Sequence, residues 1–225
     1  MRRGLTFEPI AHRYTLDGID VPSVTGVLRQ AGLIDFSHIP PTILEAARRR
    51  GTAVHAAIHY FNENDLDVDR FGIEFPECAG YLQAWITFTQ QRHFTPVLNE
   101  RRLASRRHQI AGTADCFGLL DGHPILLDFA TGRPSDVAKD LQTAAYYAMA
   151  TEWAAAGDDP ELLAFLTGSR NVLRRYGVAL RHDGTFSLEP YATPSDFRDF
   201  LTLVDAQRIV QRRRPARDSV TLAAV

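Results

Sequence analysis

The first part of the chain combines a short stretch of alternating polar and apolar residues with longer stretches of helical spacing. Alternation on both sides of Asp17-Gly18 is typical of a β-hairpin, because this dipeptide suits a two-residue turn. Thr42 has the chemistry of a helix N-cap and precedes apolar residues spaced three and four apart. The elements predicted here are a hairpin over 12–20, a short helix after Ser23 that ends at Gly32, a helix over 42–64 and a helix over 77–92.

After residue 94 the hydrophobic pattern changes to a period of two and then returns to helical spacing. A second hairpin is expected around Asp183-Gly184. The elements predicted here are strands over 95–104, 108–120 and 123–130, helices over 137–156 and 160–166, strands over 171–181 and 185–191, and a helix over 196–213. This order predicts an α/β fold in which one mixed central β-sheet is flanked by helices.

The composition excludes several classes of protein. The chain has 225 residues, of which 45% are hydrophobic and 23% are charged, as in an ordinary globular protein. Cys78 and Cys116 are too few for a disulfide framework or a four-cysteine metal cluster. No apolar run approaches the ~20 residues that span a membrane, and the N-terminus lacks the apolar core of a secretory signal. We therefore expect a cytoplasmic protein with no membrane partner.

A hairpin around Asp121-Gly122 brings two carboxylates together. If these residues form a type I′ turn, Leu120 pairs with His123. The same register then places Asp115 opposite Asp128. Facing carboxylates repel one another unless a divalent cation lies between them, and such oxygen ligands suit Mg²⁺ or Mn²⁺. Three alternatives stay open: one carboxylate turns to solvent, one is protonated, or a bulge shifts the register.

The segments around this hairpin resemble the RecB-like branch of the PD-(D/E)XK nucleases. The motifs that carry the resemblance are RRGTAVHAAIHYF around His55, GTAD at 112–115, D-F-x-T-G at 128–132 and Q-x-x-x-Y at 142–146. The opening HRYTLDGIDVPSVTGVL is similar to the leader of phage-type RecB-like and mitochondrial genome-maintenance exonucleases. The resemblance implies a restriction-endonuclease-like core within one domain, divided into an N-terminal hairpin and helices (1–94), a nuclease core (95–191) and a C-terminal helix and tail (192–225).

The resemblance also implies a set of metal ligands. His55 would bind Mg²⁺ or Mn²⁺ from its helix, and Asp115 and Asp128 would be the acidic ligands. The backbone carbonyl of Phe129 would complete the set. Taken alone, His55 has a simpler interpretation as a packed or surface histidine. A zinc protease motif is excluded, because Ala56 follows His55 where that motif needs glutamate.

Three further residues match supporting positions of the family. Glu100 matches an acidic position that holds or orients a second metal ion or a water molecule. Gln142 and Tyr146 match a helix that buttresses the site and contacts the substrate. Without the resemblance, Glu100 could form an ion pair in solvent, Gln142 could lie on a helix surface and Tyr146 could belong to the core.

The chain departs from the family pattern at Ala130, where the family has a lysine that positions water and stabilises charge on the phosphate. Lys139, the only lysine of the chain, and Arg133 are candidate substitutes. However, Lys139 lies beyond the next turn, and a guanidinium cannot donate a proton at neutral pH. An engineered Lys→Ala substitution is the favoured interpretation, because the metal ligands are intact; a natural degenerate nuclease is the alternative. Ala130→Lys is expected to raise activity by ~10² or more.

The net charge of −2 leaves room for a local basic groove, although it argues against extensive coating of nucleic acid. Two arginine clusters adjoin the motifs and are predicted to bind DNA: Arg48, Arg49 and Arg50, and Arg101, Arg102, Arg106 and Arg107. For each cluster, a solvated surface is the simpler alternative. Exposed aromatic side chains among Phe36, Tyr60 and Phe61 would indicate binding of single strands.

The resemblance implies a metal-dependent DNA exonuclease that acts on single strands or duplex ends, in phage recombination or replication. The chain has no P-loop motif, which favours a stand-alone nuclease over a helicase-coupled one. A single-strand-binding or annealing protein is a candidate partner. The alternative is an inactive DNA-binding module of nuclease fold, for which Ala130 is the direct support. A CRISPR-associated relative is disfavoured, because those nucleases carry four clustered cysteines.

Overall fold

A computed structural model describes residues 4–131, 136–168 and 172–213. The first part of the chain holds a three-stranded antiparallel sheet and four helices: β1 (Leu5–Glu8), β2 (Arg13–Leu16), β3 (Ile19–Val21), α1 (Val24–Gln30), α2 (Pro41–Asn62), α3 (Val68–Glu74) and α4 (Pro76–Gln91). The predicted hairpin and the three predicted helices are confirmed. Strand β1 and helix α3 were not predicted.

The start of α2 corrects one prediction. The helix begins at Pro41, and Pro40 precedes it without a side-chain cap, so Thr42 is not the N-cap. Proline is well suited to the first helical position, because the N–H that it lacks would have no partner within the helix.

The second part of the chain forms a five-stranded sheet with the strand order β4-β5-β6-β7-β8. Its elements are β4 (Phe94–Ser105), β5 (Ile110–Leu120), β6 (His123–Thr131), α5 (Asp136–Ala155), α6 (Pro160–Thr167), β7 (Arg174–Leu180), β8 (Phe186–Tyr191) and α7 (Asp196–Arg213). Neighbouring strands are antiparallel except β6 and β7, which are parallel and are joined through α5 and α6. The predicted mixed central sheet flanked by helices is confirmed.

Helices cover both faces of this sheet. On one face, α1 and α5 pack over sheet residues such as Phe117 and Leu126, and α7 packs against these two helices. On the other face, α2 and α4 pack over Leu127 and Phe129, with Trp85 fully buried between the layers. Side chains on either face of the sheet therefore meet a helix, and functional groups can reach the sheet from both sides. Among the described residues, no helix combines the length and apolar character needed to cross a membrane.

The hairpin of β5 and β6 has the predicted register. Asp121 and Gly122 both have positive φ, as a type I′ turn requires, and Leu120 pairs with His123. The ladder continues without a bulge to Cys116 opposite Leu127 and ends there. Beyond this point β5 no longer pairs with β6 but continues beside β4, while β6 continues beside β7. The two strands thus separate into a fork at the next position, which is occupied by Asp115 and Asp128.

Candidate metal centre

One cluster of potential ligands forms on the β5 side of the fork. His55 from α2, Glu100 from β4 and Asp115 from β5 each offer a ligand atom, and these atoms lie within 4.8 Å of one another. His55 Nδ1 is 3.6 Å from Glu100 Oε1 and 3.8 Å from Asp115 Oδ1. In the register of β4 and β5, residue 99 pairs with residue 116 and residue 101 pairs with residue 114. Glu100 therefore lies opposite Asp115. The helix above them supplies the imidazole.

At the fork, where the backbone ladder between β5 and β6 has ended, the Asp115 side chain links the two strands. Its Oδ2 accepts a hydrogen bond of 3.0 Å from the backbone N–H of Phe129, which fixes the carboxylate between the strands. Burial raises the pKa of Asp115, and the nearby Asp128 carboxylate raises it further. The anionic form is therefore disfavoured unless a positive charge is present, which is the electrostatic environment that a bound cation would relieve.

His55 is held by both stacking and charge. Its ring lies 4.3 Å from the Phe129 ring, centroid to centroid, at an interplanar angle of 38°. Burial disfavours the imidazolium, but the carboxylates of Asp115 and Glu100 outweigh this effect and raise the pKa of His55. The imidazole is thus oriented toward the carboxylates of Glu100 and Asp115. The sequence of α2 alone did not distinguish this role from that of a packed or surface histidine.

A second group forms on the β6 side of the fork. Asp128 is almost completely buried, and its carboxylate lies outside the cluster of His55, Glu100 and Asp115. Its Oδ2 is bound by the Lys139 ammonium, and its Oδ1 accepts a 3.0 Å hydrogen bond from Gln142 Nε2. His55 and Asp115 thus meet Glu100, whereas Asp128 contacts Lys139 and Gln142 of α5. The expectation that His55, Asp115 and Asp128 share one metal ion stays a prediction.

Lys139 is the group whose contact the sequence argument did not predict. The sequence left Lys139 as a candidate substitute that lies beyond the next turn. Helix α5 begins at Asp136 and presents Lys139 to Asp128 within the first turn. Burial disfavours the ammonium, but Asp128 and Asp115 outweigh this effect and raise the pKa of Lys139. The available signal was that Lys139 is the only lysine among 25 basic residues. The other candidate, Arg133, lies outside the described residues.

Gln142 and Tyr146 support this group from the next turn of α5. Gln142 Nε2 also donates to the Tyr146 hydroxyl at 3.1 Å, and both side chains are buried. Burial raises the pKa of Tyr146 well above its ordinary value. Gly112 of the GTAD motif makes room for this tyrosine, because a Cβ there would lie 2.7 Å from Tyr146 Cε1. Ala130 pairs with Ala179 of β7 and brings no polar group to the site.

The arginine clusters differ in their contacts. Arg101 forms ion pairs with Glu161 and Asp159, and Arg106 binds Asp17 and Asp158. These two guanidinium groups hold elements of the fold together. Arg102 and Arg107 are exposed, and the Arg102 guanidinium lies 5.3 Å from the centre of the Phe7 ring.

On α2, Arg48 and Arg49 are exposed, whereas Arg50 is half-buried with its guanidinium 5.5 Å from the centre of the Tyr81 ring on α4. Arg48 precedes His55 by seven residues, so both lie on the same face of α2, about 10 Å apart along the helix axis. Of the first arginine cluster, Arg48 is therefore the residue that shares a helix face with His55.

A cavity of about 550 Å³ opens beside the cluster of His55, Glu100 and Asp115. Its walls include Tyr60, which is 48% exposed, and two further histidines. The lining residues are His12, Gly51, Thr52, His55, Ala56, His59, Tyr60 and Glu100. This volume is sufficient for a small ligand next to the ligand cluster.

The donor set fits the predicted metal ions. Carboxylate oxygens suit both Mg²⁺ and Mn²⁺, and an imidazole nitrogen favours the transition ion of the two. The fold and the site together define a mixed α/β protein with a candidate divalent-metal centre at a strand fork. Comparison of the chain with protein-family models and with curated proteins found no match.

Proposed function

We propose that the protein is a metal-dependent deoxyribonuclease of the RecB-like PD-(D/E)XK type, which hydrolyses phosphodiester bonds at DNA ends or in single strands. The observation that carries the proposal is the fork between β5 and β6, where His55, Glu100 and Asp115 meet on one side and Asp128 meets Lys139 on the other. Mg²⁺ or Mn²⁺ would be held by His55, Glu100 and Asp115, with Asp128 adjacent.

In this proposal, different residues of the site have different roles in the reaction. When bound, a divalent ion would polarise the phosphate and lower the pKa of a bound water molecule. The Lys139 ammonium provides a second positive charge close to Asp128, where it can stabilise the charge that develops on a reacting phosphate. Gln142 and Tyr146 keep Asp128 in place through their hydrogen bonds. Phe129 fixes both the His55 ring and the Asp115 carboxylate.

Lys139 also bears on the interpretation of Ala130. Its contact with Asp128 provides an ammonium without a lysine at position 130. The main reason for expecting an engineered Lys→Ala substitution, an otherwise intact site without its cation, is therefore weakened. We propose an active nuclease in which Lys139 replaces the motif lysine.

The cavity beside the metal ligands supports an unpaired strand as substrate. Tyr60 presents an exposed ring at the wall of this cavity, and base–aromatic stacking tolerates any sequence. Phe36 is also exposed but is not part of the cavity lining, so Phe36→Ala is a matched control for Tyr60→Ala. A single-strand-binding or annealing protein as partner and a cytoplasmic location stay predictions.

The test is a time course on end-labelled DNA with Mg²⁺, Mn²⁺ or EDTA, using linear single strands, linear duplexes and circular single strands. We expect the linear substrates to be degraded only with metal, the circular strand to resist, and Asp115→Asn to lose at least ~10² in rate. Cleavage of the circle would indicate an endonuclease. DNA binding without cleavage of any substrate would contradict the proposal and favour the inactive DNA-binding module.

A further inference from the structure

The backbone at Glu100 adopts an unusual conformation for a candidate metal ligand. Its φ is +47°, in the left-handed region that side chains other than glycine rarely adopt. Such a conformation is strained and persists only where the surrounding structure holds it. The neighbours of Glu100 along β4 therefore need to supply that support.

A network of side-chain hydrogen bonds begins at the preceding residue. Asn99 Oδ1 accepts from Asn62 Nδ2 at 2.8 Å, and Asn99 Nδ2 donates to Glu63 Oε1 at 2.9 Å. Asn62 Oδ1 in turn accepts from the Nε1–H of Trp85 at 2.9 Å, and the Trp85 ring is fully buried in α4. Asn99 thereby joins β4 to the end of α2 and, through Asn62, to α4.

The network controls the distance between the two elements that carry His55 and Glu100. Asn62 follows His55 by seven residues, so both side chains lie on the same face of α2, two turns apart. Asn99 is the neighbour of Glu100 on β4. The contact between Asn62 and Asn99 therefore fixes α2 against β4 at the place where His55 must approach Glu100.

A second anchor lies on the other side of Glu100. Arg101 forms ion pairs with Glu161 at the start of α6 and with Asp159 just before it. The Glu100 carboxylate lies 3.6 Å from His55 Nδ1, and its side chain is 38% exposed. The contacts of Asn99 and Arg101 thus hold the backbone on both sides of Glu100.

We infer that Asn99, together with Asn62, is a positioning residue of the metal centre: the amide network holds Glu100 in its strained conformation and at the correct distance from His55. This inference rests on the proposed metal-dependent function. It assigns a role to two asparagines that belong to none of the sequence motifs. Residues that orient metal ligands typically change metal affinity by ~10–100-fold when removed.

The test measures the Mn²⁺ affinity of the full chain and not its activity. Free Mn²⁺ is followed by electron paramagnetic resonance during titration of the wild type, Asn99→Ala, Glu100→Gln and the double variant. We expect Asn99→Ala to weaken binding by about tenfold. In the Glu100→Gln background the same change should have less than about a twofold further effect, because the network acts through Glu100.

Two further variants separate positioning from general stability. Val204→Ala removes buried methyl groups of α7, which lies outside the site, and should lower stability without changing Mn²⁺ affinity. If Asn99→Ala does not fold, Glu63→Ala takes its place, because Glu63 is exposed and accepts one hydrogen bond of Asn99. We expect about threefold weaker binding from this smaller change.

Each outcome decides between the inference and the proposed function. Wild-type affinity in Asn99→Ala, or in Glu63→Ala where it is used, overturns the positioning role and leaves the nuclease proposal standing. Additive losses in the double variant overturn it too, because Asn99 would then act independently of Glu100. Wild-type Mn²⁺ affinity in Glu100→Gln also overturns the positioning role, because Asn99 could not then act on metal binding through Glu100. A wild-type protein that binds no Mn²⁺ overturns both.

Discussion

In the proposed nuclease, the Lys139 ammonium is the group expected to stabilise charge on a phosphate. The group binds Asp128 directly, and the carboxylates around it favour its charged form. The chain has no other lysine, so a substitution at this position removes the only flexible ammonium that a side chain offers.

We predict that Lys139→Ala lowers kcat by about 10²–10³, because it removes a charge that acts mainly in the transition state. Ala130→Lys in the Lys139→Ala background should recover part of this loss, since position 130 lies two residues after Asp128 on the same strand. The measurement is the rate of release of label from single-stranded DNA with Mn²⁺. Wild-type activity in Lys139→Ala, with a ~10²-fold gain from Ala130→Lys alone, would instead identify residue 130 as the defect.

Gly112 is a second residue whose identity is explained by a single contact. We predict that Gly112→Ala lowers the free energy of unfolding by about 1–3 kcal/mol, because the new Cβ would overlap with the Tyr146 ring. The matched control is Gly72→Ala in α3, where the nearest heavy atom outside the helix is 4.0 Å from the new Cβ. That substitution should raise stability by about 0.5–1 kcal/mol through helix propensity. Urea unfolding of both variants checks the opposite signs.

At the scale of elements, the hairpin of β5 and β6 shows what the sequence could predict. Asp121-Gly122 determined the turn, the turn determined the register, and the register placed Asp115 and Asp128 at corresponding positions. The pattern could not show that the ladder between β5 and β6 ends one pair before Asp115 and Asp128. The fork depends on the pairing of β5 with β4 and of β6 with β7, which the hairpin sequence does not report.

The contacts made by helices were harder to predict for the same kind of reason. The amphipathic pattern located α2 and α5 within a few residues but not the faces of the sheet that they cover. Lys139 reaches Asp128 because α5 begins soon after β6, and sequence separation alone made that contact look too distant. Glu100 joined His55 through tertiary packing of α2 against β4, which no local signal reports.

Helix α2 also supports a prediction about DNA binding. Arg48→Glu should weaken binding of single-stranded DNA and lower the slope of log K against log salt by about 0.7 per lost phosphate contact. Arg198→Glu on α7 is the matched control, because Arg198 is similarly exposed but belongs to a helix that contributes no residue to the metal site. Fluorescence anisotropy at several salt concentrations gives both slopes. An unchanged slope in Arg48→Glu would show that this arginine is merely solvated.

At the scale of the whole molecule, the candidate site depends on the arrangement of both helical layers around the sheet. The candidate ligands His55, Glu100 and Asp115 come from α2, β4 and β5, and Lys139 reaches the fork from the opposite layer. No local segment of the chain contains the complete set. Metal binding and folding should therefore be thermodynamically coupled, since the unfolded chain cannot reproduce this arrangement.

This coupling gives a prediction for the stability of the whole molecule. At a free Mn²⁺ concentration of 100 times Kd, the free energy of unfolding should rise by about 2.7 kcal/mol, because the ion binds the native state and not the unfolded chain. Urea unfolding with Mn²⁺ and with EDTA measures the difference. His55→Ala should lose the gain, since it removes a candidate ligand, whereas Lys139→Ala should keep it, since Lys139 is not among the three candidate ligands. An equal gain in wild type and His55→Ala would show that Mn²⁺ binds elsewhere, and the metal centre assigned to the fork would then be wrong.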